Sequence, residues 1–383
     1  MTDLLAYRFG VNYTPSRNWY YFWNDFDADA VARDFDAVAS LGADHMRVMA
    51  IWPFFQPNPA WLSGAHLDRL DRLMELAAQR GLSVLVALLN GFVSGYFFLP
   101  SFERQANPLT SARTFAAQEV YFRGMGRRLM RHDNFLGTDL GNELNCCWRA
   151  DGTAAGDEWM ARSLALCREA MPGRVHVNGV DHQPWFGPKR DAAAPAGPPP
   201  GGGLPFSPRA LAAGQEIIAL HCWPAFTGAL DLGGPFDPPS IHLGAAMTAL
   251  ARSYAGLPDK PVWIQEYGAC EDWMPPERIG QWLDLYTRSA IAAGAGWFTW
   301  WDSHDIDRKL QFVKHEYSLG LMTNDNRVKP QGQTFRALAE EFRGRRVGNE
   351  LLGDQPPAPP DEWTFAATWR WLLDWIASRR PSP

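Results

Sequence analysis

Eight short apolar segments, separated by longer amphipathic ones, predict a (β/α)8 TIM barrel, the α/β fold in which parallel strands form an inner ring and helices an outer one. Three observations carry this reading. Period-2 or continuous apolar runs alternate with stretches of helical periodicity. The chain has 383 residues, the length of one such barrel with insertions. Polar residues able to do chemistry follow the strand segments directly, on the face where barrel active sites form.

The strand segments are 9–13, 45–51, 82–88, 135–141, 175–178, 217–221, 262–265 and 296–300. Helical stretches fall near 28–41, 66–80, 112–132, 155–171, 243–256 and 276–293, and one near 333–343 closes the ring. In the first of these, Val31, Phe35, Val38 and Leu41 recur at helical spacing and Gly42 supplies a stop. The helix after the fifth strand is unclear. Residues 191–208 read DAAAPAGPPPGGGLPFSP, a Pro/Gly-rich insertion that is not helix. It leaves the catalytic side of the barrel, as a lid or as a spacer.

The expected organisation is one catalytic barrel over 1–345 containing that insertion, then a linker and an amphipathic helix within 346–383. In the tail, Phe365, Trp369, Leu372 and Ile376 form one helical stripe, widened by Trp371 and Trp375. So much apolar surface must be covered, either by the barrel's own outer helices or by a neighbouring subunit. A homo-oligomer joined through this helix is therefore one expectation.

Composition excludes several classes. Lys and Arg total 36 against 42 Asp and Glu, a net charge of −6, and no basic stripe suits a nucleic acid. No apolar run reaches the roughly 18 residues of a membrane span. The first ten residues lack a basic region followed by an apolar one, so a cytoplasmic location is expected. The five cysteines contain no C-x-x-C pair, which argues against a zinc site or a disulfide framework. No metal or cofactor is expected. The 18 Trp fit either aromatic sugar platforms or a large core.

The strand ends carry the chemistry. Asn142-Glu143 follows the fourth strand, Glu266 the seventh, His221 ends the sixth, Arg47 lies on the second, and Trp300-Trp301 ends the eighth. In a barrel these ends converge, so two carboxylates face each other across a pocket. Glycosidic cleavage needs such a pair: one protonates the leaving oxygen and the other attacks carbon or activates water. Spacing alone does not say which does which, because the environment must split their pKa values. Arg47 is suited to hold the ionised partner through charge-assisted hydrogen bonds. Taken singly, each residue has a blander explanation. A glutamate at a strand end is usually solvated, His221 alone would be a core histidine, and one of the two tryptophans should pack between barrel and helices. The run Asp302-Ser303-His304-Asp305 suggests a metal or triad motif, but triads assemble from separate segments.

The segments GVNYTPS (10–16), HMRVMAIWPFFQPN (45–58), NFLGTDLGNELN (134–145), HCWPAF (221–226), PVWIQEYGA (261–269), GWFTWWDSHD (296–305) and EYSLGL (316–321) together resemble glycoside hydrolase clan A. Within it the chain is most similar to family 5, subfamily 18, the exo-acting β-mannosidases. The resemblance spans most of residues 9–330; it leaves out 181–215 and the tail. It implies Glu143 as acid/base, Glu266 as nucleophile and Asn142 as the partner of the sugar 2-hydroxyl. It implies Arg47 and His221 as the groups that orient and ionise the nucleophile, and Trp300 or Trp301 as the platform under the −1 sugar. Where much of the clan has a tyrosine that bonds the nucleophile, this chain has Trp223, which keeps an N–H donor but no hydroxyl.

The resemblance thus implies a retaining glycoside hydrolase that cleaves β-mannosidic bonds of short oligosaccharides, such as mannose-β-1,4-N-acetylglucosamine. An intracellular location fits imported oligosaccharides better than polymer. The competing expectations are an endo-β-1,4-glucanase or mannanase with an open cleft, a non-catalytic carbohydrate-binding barrel, and a metal-dependent hydrolase. The binding barrel gains little from two facing carboxylates that repel. The metal enzyme would want more histidines at strand ends than His221 and His176.

Overall fold

Eight strands, β1 (Arg8–Asn12), β2 (His45–Met49), β3 (Ser83–Ala87), β4 (Phe135–Asn142), β5 (Val175–Gly179), β6 (Ile218–His221), β7 (Val262–Tyr267) and β8 (Trp297–Trp300), lie parallel in the order β5-β4-β3-β2-β1-β8-β7-β6. This is a computed structural model; it describes residues 2–103, 107–150, 152–189, 203–310, 313–352 and 355–379. All eight strands fall on the segments expected from the sequence. Six of them are buried at every position, which is why they read as near-continuous apolar runs.

β1 pairs with both β2 and β8, so the ring closes there. At the β5/β6 seam, side chains bond to backbone. Gln215 Oε1 accepts from Asn178 N at 2.9 Å and Glu216 Oε2 from His176 N at 3.3 Å. The helices that follow the strands include Ala28–Ser40, Gly64–Ala78, Ala112–Leu129, Thr153–Ala170, Leu243–Ala255, Pro276–Ala292 and Pro330–Phe342. The missing fifth helix is short, Pro208–Gly214. Proline sits at its start and the Ser207 hydroxyl accepts from Ala210 N, so the last residue of the proline-rich stretch opens a helix instead of lying outside one. Residues 190–202, the greater part of that stretch, lie outside the described residues.

The barrel interior is layered. Leu85, Val177, Ala219, Trp263 and Trp297 form a small apolar cluster of their own, separate from the main core between strands and helices. Above it the inward positions turn polar: Asn12, Arg47, Asp139, His221 and Gln265 are all fully or almost fully buried. Buried polar groups are tolerated only when bonded, and two register shifts bring these together. Asp139 pairs with Val177 but Asn142 with Gly179, three residues along β4 against two along β5. Residues three apart would otherwise face opposite ways; the extra residue turns both Asp139 and Asn142 toward Arg47. β7 likewise carries an extra residue against both neighbours, which leaves Gln265 and Glu266 together on the interior.

The tail helix Phe365–Ser378 is capped by Thr364 and packs on the chain's own barrel, against Leu243–Ala255 and the short helix Gln183–Phe186. Trp369, Leu372 and Ile376 are buried. Trp369 Nε1 donates to Thr227 O at 2.9 Å and Thr368 Oγ1 to Phe186 O at 3.1 Å. Both acceptors belong to loops that border the polar end of the barrel.

Candidate active site

Arg47 is the hub of the site. Its guanidinium is fully buried and gives two hydrogen bonds to Asp139 Oδ2 (2.8 and 3.0 Å), one to Asn142 Oδ1 (2.8 Å), one to Asn12 Oδ1 (3.0 Å) and one to Glu266 Oε1 (2.7 Å). A buried charge needs such full pairing. Gly179 borders this network: a Cβ there would stand 2.3 Å from Gln265 Oε1 and 2.5 Å from Asp139 Oδ2, so any side chain would break it.

Glu266 is also approached on its other oxygen. Trp223 Nε1 donates to Glu266 Oε2 at 3.3 Å, and His221 Nδ1 lies 3.3 Å from the same atom. The indole therefore supplies the donor expected of a hydroxyl at that position. Burial first, and the charge of Glu143, push the Glu266 carboxyl up to about 7, while the Arg47 guanidinium opposes that rise.

Glu143 has a different environment. Its backbone is left-handed (φ 47°, ψ 49°), a sparsely populated state for a non-glycine residue. The N–H bond to Gly179 O at 2.9 Å and the Cys146 N–H to its own carbonyl at 2.7 Å hold it there. Its Oε1 lies 2.8 Å from His221 Nδ1, closer than Glu266 does. On the other ring nitrogen, Nε2, His221 meets Gln265 Oε1 at 3.0 Å. With the Gln265 amide oxygen as the acceptor, the ring proton sits on Nε2. Burial lowers the His221 pKa and keeps the ring neutral, and Nδ1 then accepts a proton from the Glu143 carboxyl. Burial first, then the Asp181 charge, push Glu143 up to about 8. His221 thus touches both glutamates and bonds Glu143 more closely, where the resemblance implied Glu266 alone.

One atom each of Glu143, His221 and Glu266 lie within 4.8 Å of one another. The same spacing would allow a shared cation, but Arg47 already places a fixed positive charge 2.7 Å from Glu266 and would repel it. The two glutamates open onto a pocket of about 320 Å³, which Asn142, Trp223 and Trp301 also line. Trp300 does not. It is fully buried, donates from Nε1 to Leu319 O at 2.8 Å and packs edge-on to Tyr267. Successive strand residues face opposite sides, so Trp301 alone of the pair turns to the pocket.

Two pocket carboxyls escaped sequence reasoning. Asp181 lies two residues past β5, a strand-end position that the same logic could have flagged. Its Oδ1 accepts from Asn145 Nδ2 and Gln183 N, and its Oδ2 lies 3.6 Å from Cys146 Sγ. Glu316 lies in the long loop after β8, and no periodic signal marks it. The pocket is closed on one side where loops after β1, β3 and β8 meet. Trp19 packs on Tyr96 and Phe98 at 5.4 and 5.6 Å between ring centres, and a Cβ on Gly95 would touch Val313.

A buried carboxyl pair of split environment, at the strand ends of a (β/α)8 barrel, defines a glycoside hydrolase. No protein-family model and no curated protein matches the chain, but solved structures do. A glutamate-to-alanine variant of a GH5_18 enzyme from Streptomyces cattleya, in complex with Manβ1-4GlcNAc, is 31% identical over 97% of this chain and 91% of that one, with a TM-score of 0.84. A GH5_18 variant from Bifidobacterium longum subsp. longum, with the same disaccharide, is 27% identical over 98% and 90%, with a TM-score of 0.83. An exo-β-1,4-mannosidase from an Opitutaceae bacterium is 25% identical over 88% and 60%, with a TM-score of 0.73. The chain belongs to glycoside hydrolase family 5, subfamily 18.

Proposed function

We propose that this glycoside hydrolase is an exo-acting, retaining β-mannosidase that releases mannose from short β-1,4-linked oligosaccharides such as Manβ1-4GlcNAc. The observation that carries the mechanism is the glutamate pair. Retaining enzymes place their carboxyls about 5–5.5 Å apart, inverting ones about 6.5–9.5 Å, and one oxygen of each glutamate within 4.8 Å of the other supports the closer pairing. Glu266, bonded to Arg47, is the nucleophile on the anomeric carbon. Glu143, protonated and bonded to His221, delivers its proton to the leaving oxygen. It then takes a proton from the water that hydrolyses the glycosyl ester.

Asn142 and Trp301 line the same pocket, which supports reading the first as the partner of the sugar 2-hydroxyl and the second as the platform for the apolar ring face. The substrate assignment is supported by the two disaccharide complexes of the related enzymes. Exo action is supported by the closed side and by the pocket's size, at the small end of ligand sites. The test is a product analysis on Manβ1-4GlcNAc, mannobiose, cellobiose and mannan, with the anomer of the first product read by NMR. Release of β-mannose from the disaccharides is expected. First-formed α-mannose would overturn the retaining mechanism, and faster cleavage of polymer than disaccharide would overturn the exo assignment.

A further inference from the structure

Glu316 is the one pocket carboxyl that the proposed reaction leaves without a task. Its side chain is 6% exposed, yet it lines the pocket. One oxygen, Oε2, accepts from Trp301 Nε1 at 3.3 Å. Among the described residues the other, Oε1, has His315 Nε2 at 3.7 Å, beyond hydrogen-bond length, and the Ser94 hydroxyl is the one further donor that faces the carboxyl. The carboxyl lies near enough to Glu143 and Glu266 to feel both their charges, and Arg47 is spent on Glu266 and Asp139. A carboxyl offers about four acceptor sites; buried with two neutral donors and no full cationic partner, it is unfavourable unless something else bonds it.

Its position says what that is. Glu316 stands at the polar edge of the Trp301 indole, and a pyranose stacked on that ring points its equatorial-edge hydroxyls outward past the ring's rim. It also belongs to the wall where the loop after β8 meets the loop after β3, in which Phe92–Val93 and Tyr96–Phe97 form a small hairpin: Ser94 on its turn faces the carboxyl and lowers its pKa against burial, which pushes it up to about 7. The wall closes the pocket, so the hydroxyls it meets are those of a chain end.

We propose that Glu316 is a specificity residue that hydrogen-bonds a hydroxyl of the terminal sugar on C-3, C-4 or C-6, away from the scissile bond. Were the hydroxyl the one on C-4, the carboxyl would read the free non-reducing end directly, because an internal β-1,4-linked sugar carries a glycosidic bond there; on C-3 or C-6 it would fix the terminal sugar against the closed wall. This rests on the −1 sugar lying over Trp301. Glu316 has a second task, to fix the indole, and the test must separate the two.

The test crosses Glu316→Gln with a deoxy series of aryl β-mannosides lacking one hydroxyl each. Gln keeps an oxygen for the Trp301 N–H, so the platform stays. On the full substrate the variant should lose about 10- to 100-fold in kcat/KM, the range for a hydrogen bond to a charged group. On one analogue, 3-, 4- or 6-deoxy, wild type should already show that loss and the substitution should add little. A loss that is equal on every analogue would reduce Glu316 to a prop for Trp301 and overturn the proposal. No loss on the full substrate would also overturn it. Glu316→Ala, checked for folding by its melting curve, should lose more than Glu316→Gln on every substrate, since it frees the indole too; a smaller loss would likewise count against the proposal. If wild type cleaves no β-mannoside, the substrate assignment fails on its own, and the cycle is run on the aryl glycoside that it does cleave.

Discussion

Replacing Asp181 with Asn tests the assignment of Glu143 through a residue that the reaction itself does not consume. Cys146 Sγ lies 4.0 Å from Glu143 Oε2 and 3.6 Å from Asp181 Oδ2, so those two oxygens are at most roughly 8 Å apart. Two unit charges at about 8 Å with an effective dielectric near 20 repel by about 2 kcal/mol, or about 1.5 pK units. The pocket opens to water, so about one unit is expected. The sign follows from the chemistry. Asp181 favours the protonated Glu143, so Asn lowers the Glu143 pKa. The acid must be protonated in the free enzyme, so the alkaline limb of kcat/KM should move down by about one pH unit. Asn keeps an Oδ1 acceptor for Asn145 Nδ2 and Gln183 N, so the loop survives. The assay is a pH profile of kcat/KM on a disaccharide, which needs protonation. An alkaline limb that stays in place or moves up in Asp181→Asn would refute the claim that Asp181 tunes Glu143.

Glu266→Ala should abolish turnover, with azide restoring it to give the inverted α-azide, whereas Glu143→Ala should slow poor leaving groups far more than activated aryl glycosides; the reverse pattern would swap the two roles. Trp223→Phe removes the N–H donor from Glu266 and should lower kcat/KM about 10-fold while raising the acid limb of the pH profile, because a lost donor to the carboxylate raises its pKa; an unmoved limb would leave the indole as packing only. Truncation after Leu352 strips the cover provided by Trp369, Leu372 and Ile376, each worth about 1.5–3 kcal/mol. The melting temperature should fall and KM should rise, since the helix props the loops at Phe186 and Thr227; an unchanged melting curve would show that the tail does not brace the barrel.

The barrel was legible because each strand is buried on both faces and each long helix keeps one apolar stripe, as Val31, Phe35 and Val38 do. What alternation could not reveal was the two register shifts. Period-2 reasoning puts Asp139 and Asn142 on opposite faces, and Gln265 and Glu266 likewise, yet all four meet in one network. That is why Asp139 and Gln265 were missed while Asn142 and Glu266, read as strand-end residues, were found. The fifth helix was hidden by proline, which ends most helices but starts this one. Glu316 opens one of the resembling segments, 316–321, but was given no role for a plainer reason: a long loop brings it to the pocket, and loop geometry is set by tertiary contacts such as those at Trp301 and Ser94.

The distribution of positive charge sorts the acidic groups of the pocket. Glu143, Asp181, Glu266 and Glu316 all line it, but only Glu266 touches the Arg47 guanidinium. Glu143 meets a neutral imidazole instead, and Glu316 meets an indole N–H. Burial raises all three glutamates, Glu143 furthest, and of the three only Glu266 has a guanidinium bond that opposes the rise. A second buried cation beside Glu143 would erase the split, because it would ionise the acid as well. The absence of such a bond at Glu143 therefore matters as much as its presence at Glu266. Under the proposed roles, a proton donor and a nucleophile with oxygens within 4.8 Å of each other are split by aiming a single guanidinium at one of the pair. The shifts in β4 and β7 achieve this: they spend the rest of Arg47 on Asp139, Asn12 and Asn142.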